Sequence, residues 1–257
     1  MVARYIYTLL FYIALPFILL RLLWKSRNNR DYREKIYERF GFFKKPLPQN
    51  CIWLHAVSLG ESIAATPLIK NIRRNYPNIP IVVTTTTPTG AKLITKNFAD
   101  DVTHCFSPYD VPDVLSRFLD KVKPRLLIIM ETELWPNLFF YCEKRHIPIF
   151  IANARLSEKS ARGYKKISAL SKQLLRAVNK IAIQTQIEAE RFFQLGLDPS
   201  KAEITGSIKF DLEIPAGLQD SAKILRQQWG ENRLIWIAAS THENEETQIL
   251  EAYKKIK

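Results

Sequence analysis

The sequence lacks every common glycine-rich phosphate loop. GxGxxG, GxSxG and GxxxxGK followed by Ser or Thr are all missing, which argues against a standard dinucleotide enzyme, an α/β-hydrolase and a P-loop ATPase. Cysteine is scarce. Cys51, Cys105 and Cys142 stand far apart, with no CxxC pair and no zinc-type spacing to histidine. They suit a reducing compartment, and two fall in apolar runs where a thiol acts as a small hydrophobe. No DxD pair ends a strand, so no metal is indicated. The basic segments carry no interleaved stacking aromatics and no recognition motif, which argues against nucleic acid as a partner. Acidic charge is in deficit: 38 Lys and Arg stand against 25 Asp and Glu, a formal net charge of +13. Because the excess is clustered, the favoured partners are anionic.

What is present is the composition of a globular protein, 47% hydrophobic over 257 residues, enough for one large or two ordinary domains. Residues 5–20, YIYTLLFYIALPFILL, carry no charge and predict a helix of about 24–30 Å, at the lower margin of a bilayer core. Lys25, Arg27, Arg30, Arg33 and Lys35 come next, where a cleavable signal would show small residues. This basic flank predicts attraction to anionic lipid and a cytoplasmic position for the domain beyond it. A buried amphipathic core helix is the alternative, and Tyr5, Tyr7, Tyr12 and Trp24 favour the membrane.

From Cys51 onward, apolar runs at 51–54, 81–83, 126–130, 147–151 and 181–183 each lead into a polar loop and a helical segment, with weaker strands near Val102 and Ile204. Strands alternating with helices predict right-handed βαβ units: an α/β fold with a mainly parallel sheet in a Rossmann-like domain. The expected organisation is a membrane helix and basic flank at 1–30, a first domain at 31–205, a connection at 206–217 and the start of a second Rossmann-like unit at 218–257. In that second unit a helix is expected over Leu218–Trp229 and a strand over Leu234–Ala239.

In such a sheet chemistry is placed beyond the carboxyl ends of the strands. There the first apolar run ends in His55 and a small-residue loop with Ser58 and Gly60. Glu61 opens the next helix and is the first candidate for a catalytic base, although an acid in a first helical turn also serves the helix dipole. After the second run, Thr84 to Gly90 supplies hydroxyls at Thr87 and Thr89, a proline and a glycine suited to an anion; Thr84 to Thr86 equally suit a continued strand. Glu131 and Glu133 come after the run 126–130, and acids leaving a hydrophobic strand must be functional or paired; Glu133 equally suits a helix start. Asn153 and Arg155 end the next strand. Lys159, Arg162, Lys165, Lys166, Lys172, Arg176 and Lys180 then share a segment with Ile167, Leu170, Leu174, Val178 and Ile181. These are spaced as one helix with a basic face, for a membrane, a phosphorylated acceptor or simply solvent.

HAVSLGE, TTTTPTGA, SPYDVP, METELWPN, NARLS, TGSIKFD and ASTHENEE occur in this order. Together they closely resemble the 3-deoxy-D-manno-octulosonic acid (Kdo) transferases of lipopolysaccharide synthesis. The resemblance implies a GT-B glycosyltransferase of the bacterial inner membrane, facing the cytoplasm. It implies that the N-terminal domain takes the lipid A precursor (lipid IVA) and the C-terminal domain takes CMP-Kdo as donor substrate, with no cofactor. It further implies Glu61 as the base of an inverting transfer, and Glu131 and Lys209 as transition-state stabilisers. Ser58, Gly60, Thr87, Thr89, Asn153 and Arg155 are then expected at the acceptor, and Ser240, Thr241 and His242 at the donor. Read without the resemblance, Lys209 is an exposed linker lysine. Asn244 stands where the family commonly has glycine, a change asparagine tolerates because it also visits left-handed conformations. The chain is expected to be truncated within the donor domain and unable to bind CMP-Kdo productively alone. The competing reading is a non-catalytic module that binds anionic lipid through its apolar helix and basic segments.

Overall fold

The computed structural model describes residues 2–211 and 217–256. The chain divides into two units, residues 1–212 and 213–257. The first is built on seven parallel strands: β1 (Ile52–His55), β2 (Ile81–Thr85), β3 (Thr103–Phe106), β4 (Leu126–Met130), β5 (Ile149–Ala154), β6 (Val178–Ile183) and β7 (Ala202–Ile204). Their order is β3-β2-β1-β4-β5-β6-β7, and the apolar runs between 51 and 183 are all strands in it. Period-two alternation sorts the side chains to the two faces. Trp53, Leu127 and Ile129 pack on one side with Phe118 and Leu138. Leu54, Val83 and Met130 pack on the other with Ile69 and Ile94. Helices cover both faces, as a parallel sheet requires.

Helix α1 (Val2–Ser26) precedes the sheet. Arg4, Tyr7, Thr8, Phe11, Ile18 and Leu22 turn inward along its whole length, while Ile6, Leu9, Leu10, Ile13, Phe17 and Leu20 are exposed. The inward seam is polar at its start. Arg4 Nη1 and Thr8 Oγ1 each donate to Asn137 Oδ1 at 3.0 Å, and the Arg4 guanidinium lies 3.7 Å from the Phe140 ring centroid. Tyr12 donates to Asp113 at 2.6 Å.

Asn137 stands in the first turn of α5 (Pro136–Lys144), which has no side-chain cap of its own at Trp135. Asp110, from the loop after β3, supplies it: its carboxylate accepts from the backbone N–H groups of Asn137 (3.1 Å) and Leu138 (2.7 Å). Two donors that a helix start leaves unpaired are thereby satisfied.

Helices α2 (Leu59–Asn75) and α3 (Pro88–Phe98) follow β1 and β2. They approach closely through Gly90, where an added Cβ would stand 2.8 Å from Ser62 Oγ. Helix α4 (Pro112–Val122) follows β3. The basic stretch expected as one helix is instead two helices and a strand. Helix α6 (Glu158–Lys166) ends at Ile167, α7 (Ser168–Ala177) begins there, and Val178, Lys180 and Ile181 belong to β6. Leu170 and Leu174 are buried, whereas Ile167 is exposed. The step of four from Leu174 to Val178 fits both periods, and the step of three from Val178 to Ile181 fits a strand only through the register shift between them. Helix α8 (Gln186–Gln194) leads on to β7.

The second unit contains α9 (Leu218–Trp229) and α10 (Glu245–Ile256). The strand expected over Leu234–Ala239 does not form: those residues are irregular, and Leu234 and Ile237 are exposed. A strand exists by pairing, and among the described residues of this unit none offers a partner. Asn244 adopts φ 71°, the left-handed conformation its place in the motif called for.

Candidate active site

The strand order reverses direction between β1 and β4, the position at which an open parallel sheet leaves a crevice beyond its carboxyl ends. Glu61 comes from the first turn of α2, after β1, and Glu131 from the loop after β4, so the two stand on either side of that opening. Glu61 is 5% exposed. Its carboxylate accepts from Val57 N–H at 2.8 Å and from Ser58 Oγ at 2.9 Å, and its own N–H donates back to Ser58 Oγ at 3.2 Å. This is a reciprocal capping box opening α2, so Glu61 does cap the helix. Burial pushes its carboxyl up to about 7, and the charges of Glu133 and Glu131 add to the rise against the opposing hydrogen bonds from Ser58 and Val57. A carboxylate held near neutrality in a cleft is suited to accept a proton at physiological pH.

Glu131 has φ 58°, and Asn153, at the end of neighbouring β5, has φ 56°. Two non-glycine residues in the left-handed region at adjacent strand ends mark a place where backbone strain is held by the surroundings. Glu131 N–H donates to Ala152 O at 2.9 Å, and its carboxylate lies 3.9 Å from Arg155 Nε. Asn153 Oδ1 accepts from Ile208 N–H at 3.2 Å, while its buried amide nitrogen has no partner. That contact ties the 3₁₀ turn Ile208–Asp211 to the end of β5, and Ile208 packs against the core on the α2 side. Lys209 thus rides on a turn fastened to the first unit, at the same end of the sheet as Glu61 and Glu131, with its side chain exposed.

Sequence reasoning gave Glu133 an alternative as a helix-start acid. It lies before the helix proper, accepts from Trp135 Nε1 at 2.6 Å, and is raised above the usual carboxylate range by burial, with Glu131 adding. Trp135 in turn meets His55 edge-on at 5.2 Å between centroids. His55 is buried, its Nδ1 is 2.8 Å from Thr84 Oγ1 and its Nε2 is unpartnered. Desolvation lowers it to about 4, so it is neutral. Glu133, Trp135 and the buried His55 form a line of contacts at these strand ends; in the sequence their only signal was that position.

The remaining candidates divide. Thr84 and Thr85 belong to β2, as the alternative reading of that stretch had it. Thr87 caps α3 by accepting from Gly90 N–H at 3.2 Å, and Thr89 is exposed in the same turn with its hydroxyl 3.5 Å from Thr87 Oγ1. Gly60 is exposed in the first turn of α2, and a Cβ there would meet Ser58 Oγ only at 3.8 Å. Ser240, Thr241 and His242 lie in the second unit at the start of α10. There Thr241 donates to Glu246 Oε1 at 2.6 Å and His242 N–H to Glu245 Oε2 at 2.9 Å. Among the described residues, no group of three His, Cys, Asp or Glu side chains is arranged to hold a metal ion.

Comparison with known proteins places this geometry in a family. Residues 34–212 match the family model of 3-deoxy-D-manno-octulosonic-acid transferase (kdotransferase). The chain is 42% identical to the 3-deoxy-D-manno-octulosonic acid transferase of Haemophilus influenzae, over 98% of this chain and 60% of that protein. It is 34% identical to a probable mitochondrial 3-deoxy-D-manno-octulosonic acid transferase of Arabidopsis thaliana, over 95% of this chain and 56% of that protein. The chain thus spans well under two thirds of either relative. Among solved structures, the UDP-GlcNAc 2-epimerase of Neisseria meningitidis aligns at a TM-score of 0.51 with 14% identity, over 79% of this chain and 62% of that one. The fold is therefore of the GT-B type shared by glycosyltransferases and these epimerases. With its family model matched from residue 34 through the turn that carries Lys209, and the acids of HAVSLGE and METELWPN facing one crevice, the chain belongs to the 3-deoxy-D-manno-octulosonic-acid transferase family.

Proposed function

We propose that this chain carries the acceptor half of an inverting glycosyltransferase that moves Kdo from CMP-Kdo to the lipid A precursor, lipid IVA. The observation that carries the reading is the buried Glu61 carboxylate, raised toward neutrality and facing Glu131 across the β1/β4 crevice. Glu61 takes the proton of an acceptor sugar hydroxyl as its oxygen bonds the anomeric carbon of Kdo. The bond from that carbon to the phosphate oxygen breaks, and its electron pair leaves with CMP. Lys209, an exposed cation on the turn beside Asn153, offsets negative charge on the departing phosphate or the Kdo carboxylate. Glu131 and Arg155 form the opposite wall, with Ser58 fixing the Glu61 carboxylate and Asn153 fixing the turn. The test is a chimera in which residues 1–212 of this chain replace the matching part of the Haemophilus influenzae relative. It should restore Kdo transfer to lipid IVA in a transferase-deficient strain; a folded chimera without transfer would refute the reading.

The same proposal sets this half on the cytoplasmic face of the bacterial inner membrane, with α1 lying in the bilayer interface. An 18-residue stretch of the helix has a mean hydropathy of 2.1, and at about 37 Å the helix is long enough to span. Its inward seam, however, recurs every three or four residues from Arg4 to Ser26 against the domain. A helix tied to the domain through Arg4, Thr8 and Tyr12 cannot cross without drawing polar surface into hydrocarbon; the exposed apolar stripe suits in-plane burial instead. All three native cysteines are buried, so single introduced cysteines can report the side. In inverted inner-membrane vesicles, Ala3→Cys and Lys121→Cys should both react with an impermeant maleimide. Protection of Ala3→Cys until the vesicles are opened would show a crossing helix.

A further inference from the structure

The end of β5 holds more than its own place in the sheet. Ala152 O accepts from Glu131 N–H at 2.9 Å, and Ala154 O accepts from Gln184 N–H at 3.0 Å. Between them Asn153 is bonded twice. Its carbonyl accepts from Gln184 Nε2 at 3.0 Å, and its side-chain Oδ1 accepts from Ile208 N–H at 3.2 Å. One short stretch of backbone therefore fastens the residue that follows β4, the residue that follows β6 and the turn Ile208–Asp211.

The residue type is fitted to this task. At φ 56° the backbone of residue 153 lies in the left-handed region, which glycine, asparagine and aspartate enter most readily. Glycine would bring no oxygen for Ile208, and aspartate would bury a charge at a position only 3% exposed. Asparagine supplies a neutral acceptor, although its buried Nδ2 is left without a partner and an unpaired donor is destabilising. The half-buried Gln184 adds a second hold on the same residue. The turn is anchored on its other side as well. Thr205 N–H donates to Ile183 O at 2.9 Å, and Ile208 packs against the core on the α2 side. Between these anchors stand Gly206, at φ 76°, and Ser207, whose hydroxyl oxygen accepts from Lys209 N–H at 3.4 Å. The Lys209 backbone is thus tied down while its side chain is exposed.

We propose that Asn153 and Gln184 are positioning residues that hold the Lys209 turn in a fixed place relative to Glu131, so that this cation is set in advance as part of the first unit. The inference rests on the transfer reading above for the role of Lys209. It gives Asn153 a task other than touching the acceptor, since its amide oxygen is committed to Ile208 and its amide nitrogen is buried. A charge held in place before reaction needs no reorganisation as the transition state develops. A lysine on a free loop would instead lose the conformational entropy of that loop at each turnover.

Two substitutions test it. Asn153→Gly keeps the left-handed backbone and removes the side-chain amide, and Gln184→Met keeps the length of the side chain and removes its donor. In the full chain, trypsin cleavage after Lys209, followed by mass spectrometry, should quicken about fivefold in each, the fold-change expected for one neutral hydrogen bond. In the chimera each should lower kcat about tenfold at unchanged KM for lipid IVA, as loss of an interaction made in the transition state does. Once Lys209 is replaced by alanine, either change should cost no more than about twofold, because residues that act through one another are not additive. A raised KM with kcat intact, or the same tenfold loss in the Lys209→Ala background, would assign Asn153 to the acceptor and overturn the proposal. Cleavage after Lys209 at the parental rate in both variants would overturn it too. A chimera with no transfer at all counts against the transfer reading, and proteolysis then decides alone whether these two residues hold the turn.

Discussion

Glu61→Gln in the chimera lowers Kdo transfer by about 10²–10⁴-fold, the usual contribution of a positioned general base, while the protein stays folded. Glutamine keeps the geometry of the capping box: its side-chain oxygen still accepts from Val57 N–H or Ser58 Oγ, and Ser58 still accepts from residue 61. A role confined to capping therefore predicts almost no change in rate and at most a fraction of a kcal/mol in stability. The pH dependence of stability separates the roles further. Glu61 is raised to about 7 when folded against an ordinary carboxylate value near 4.3 when unfolded. The folded state then holds the proton that the unfolded state gives up, so stability falls as pH rises between about 4.3 and 7 and stays lower above that window. Glu61→Gln removes this penalty. Its urea midpoint at pH 8 should equal or exceed that of the parent, although activity is lost. Stability won at the expense of function is the mark of a strained functional carboxylate, and a variant both less stable and fully active would assign Glu61 to the cap alone.

Asp110→Ala should cost about 2–5 kcal/mol of stability, because it orphans two buried backbone N–H groups at the start of α5, each worth about 1–3 kcal/mol when left unpaired. Burial raises Asp110 to about 6 in spite of hydrogen bonds from Asn137, Tyr7 and Leu138 and the nearby charge of Arg4. The same sign applies as for Glu61: its ionisation costs the fold stability between about pH 4 and 6, and none of that cost is recovered at higher pH. The effect reaches further than one helix. Asn137 both donates to Asp110 O at 2.8 Å and accepts from Arg4 and Thr8 of α1, so loosening α5 also releases the first turns of α1. Urea denaturation reads the first consequence, and faster trypsin cleavage after Arg4 reads the second. Cleavage after Arg4 at the parental rate would show that α1 docks without this network.

The inner strands of the sheet were legible because burial on both faces leaves an apolar run in each. Cys51 to Leu54 and Leu126 to Met130 needed no structural help. Where one spacing served two periods the sequence misled: Leu174, Val178 and Ile181 fit a helical stripe, yet α7 stops at Ala177 and β6 takes the rest. The run Leu234–Ala239 has strand composition but no neighbour within its unit, and composition does not record the partner. Of the cleft, Glu61 and Glu131 were visible as acids at strand ends. His55 was visible too, as the end of the first apolar run, but its burial behind Trp135 was not; nor were the contacts of Arg39 with Thr86 and Tyr109, because their meaning arises only when loops far apart in the chain meet. The inward seam of α1 was hidden for a similar reason. Arg4 and Thr8 read as incidental polar residues in an apolar helix until Asn137 is seen opposite them.

The central claim is that Glu61 works as a base whose proton affinity is lifted by burial and by the acids across the crevice. The pH profile of kcat/KM in the chimera tests it most directly, compared with the profile of Glu133→Gln, a change that keeps an oxygen for Trp135 Nε1 but removes a like charge. The expected result is an ascending limb with an apparent pKa of about 7 that moves to lower pH in Glu133→Gln. A limb that stays in place when the neighbouring charge is gone, or a rate independent of pH through this range, would contradict it.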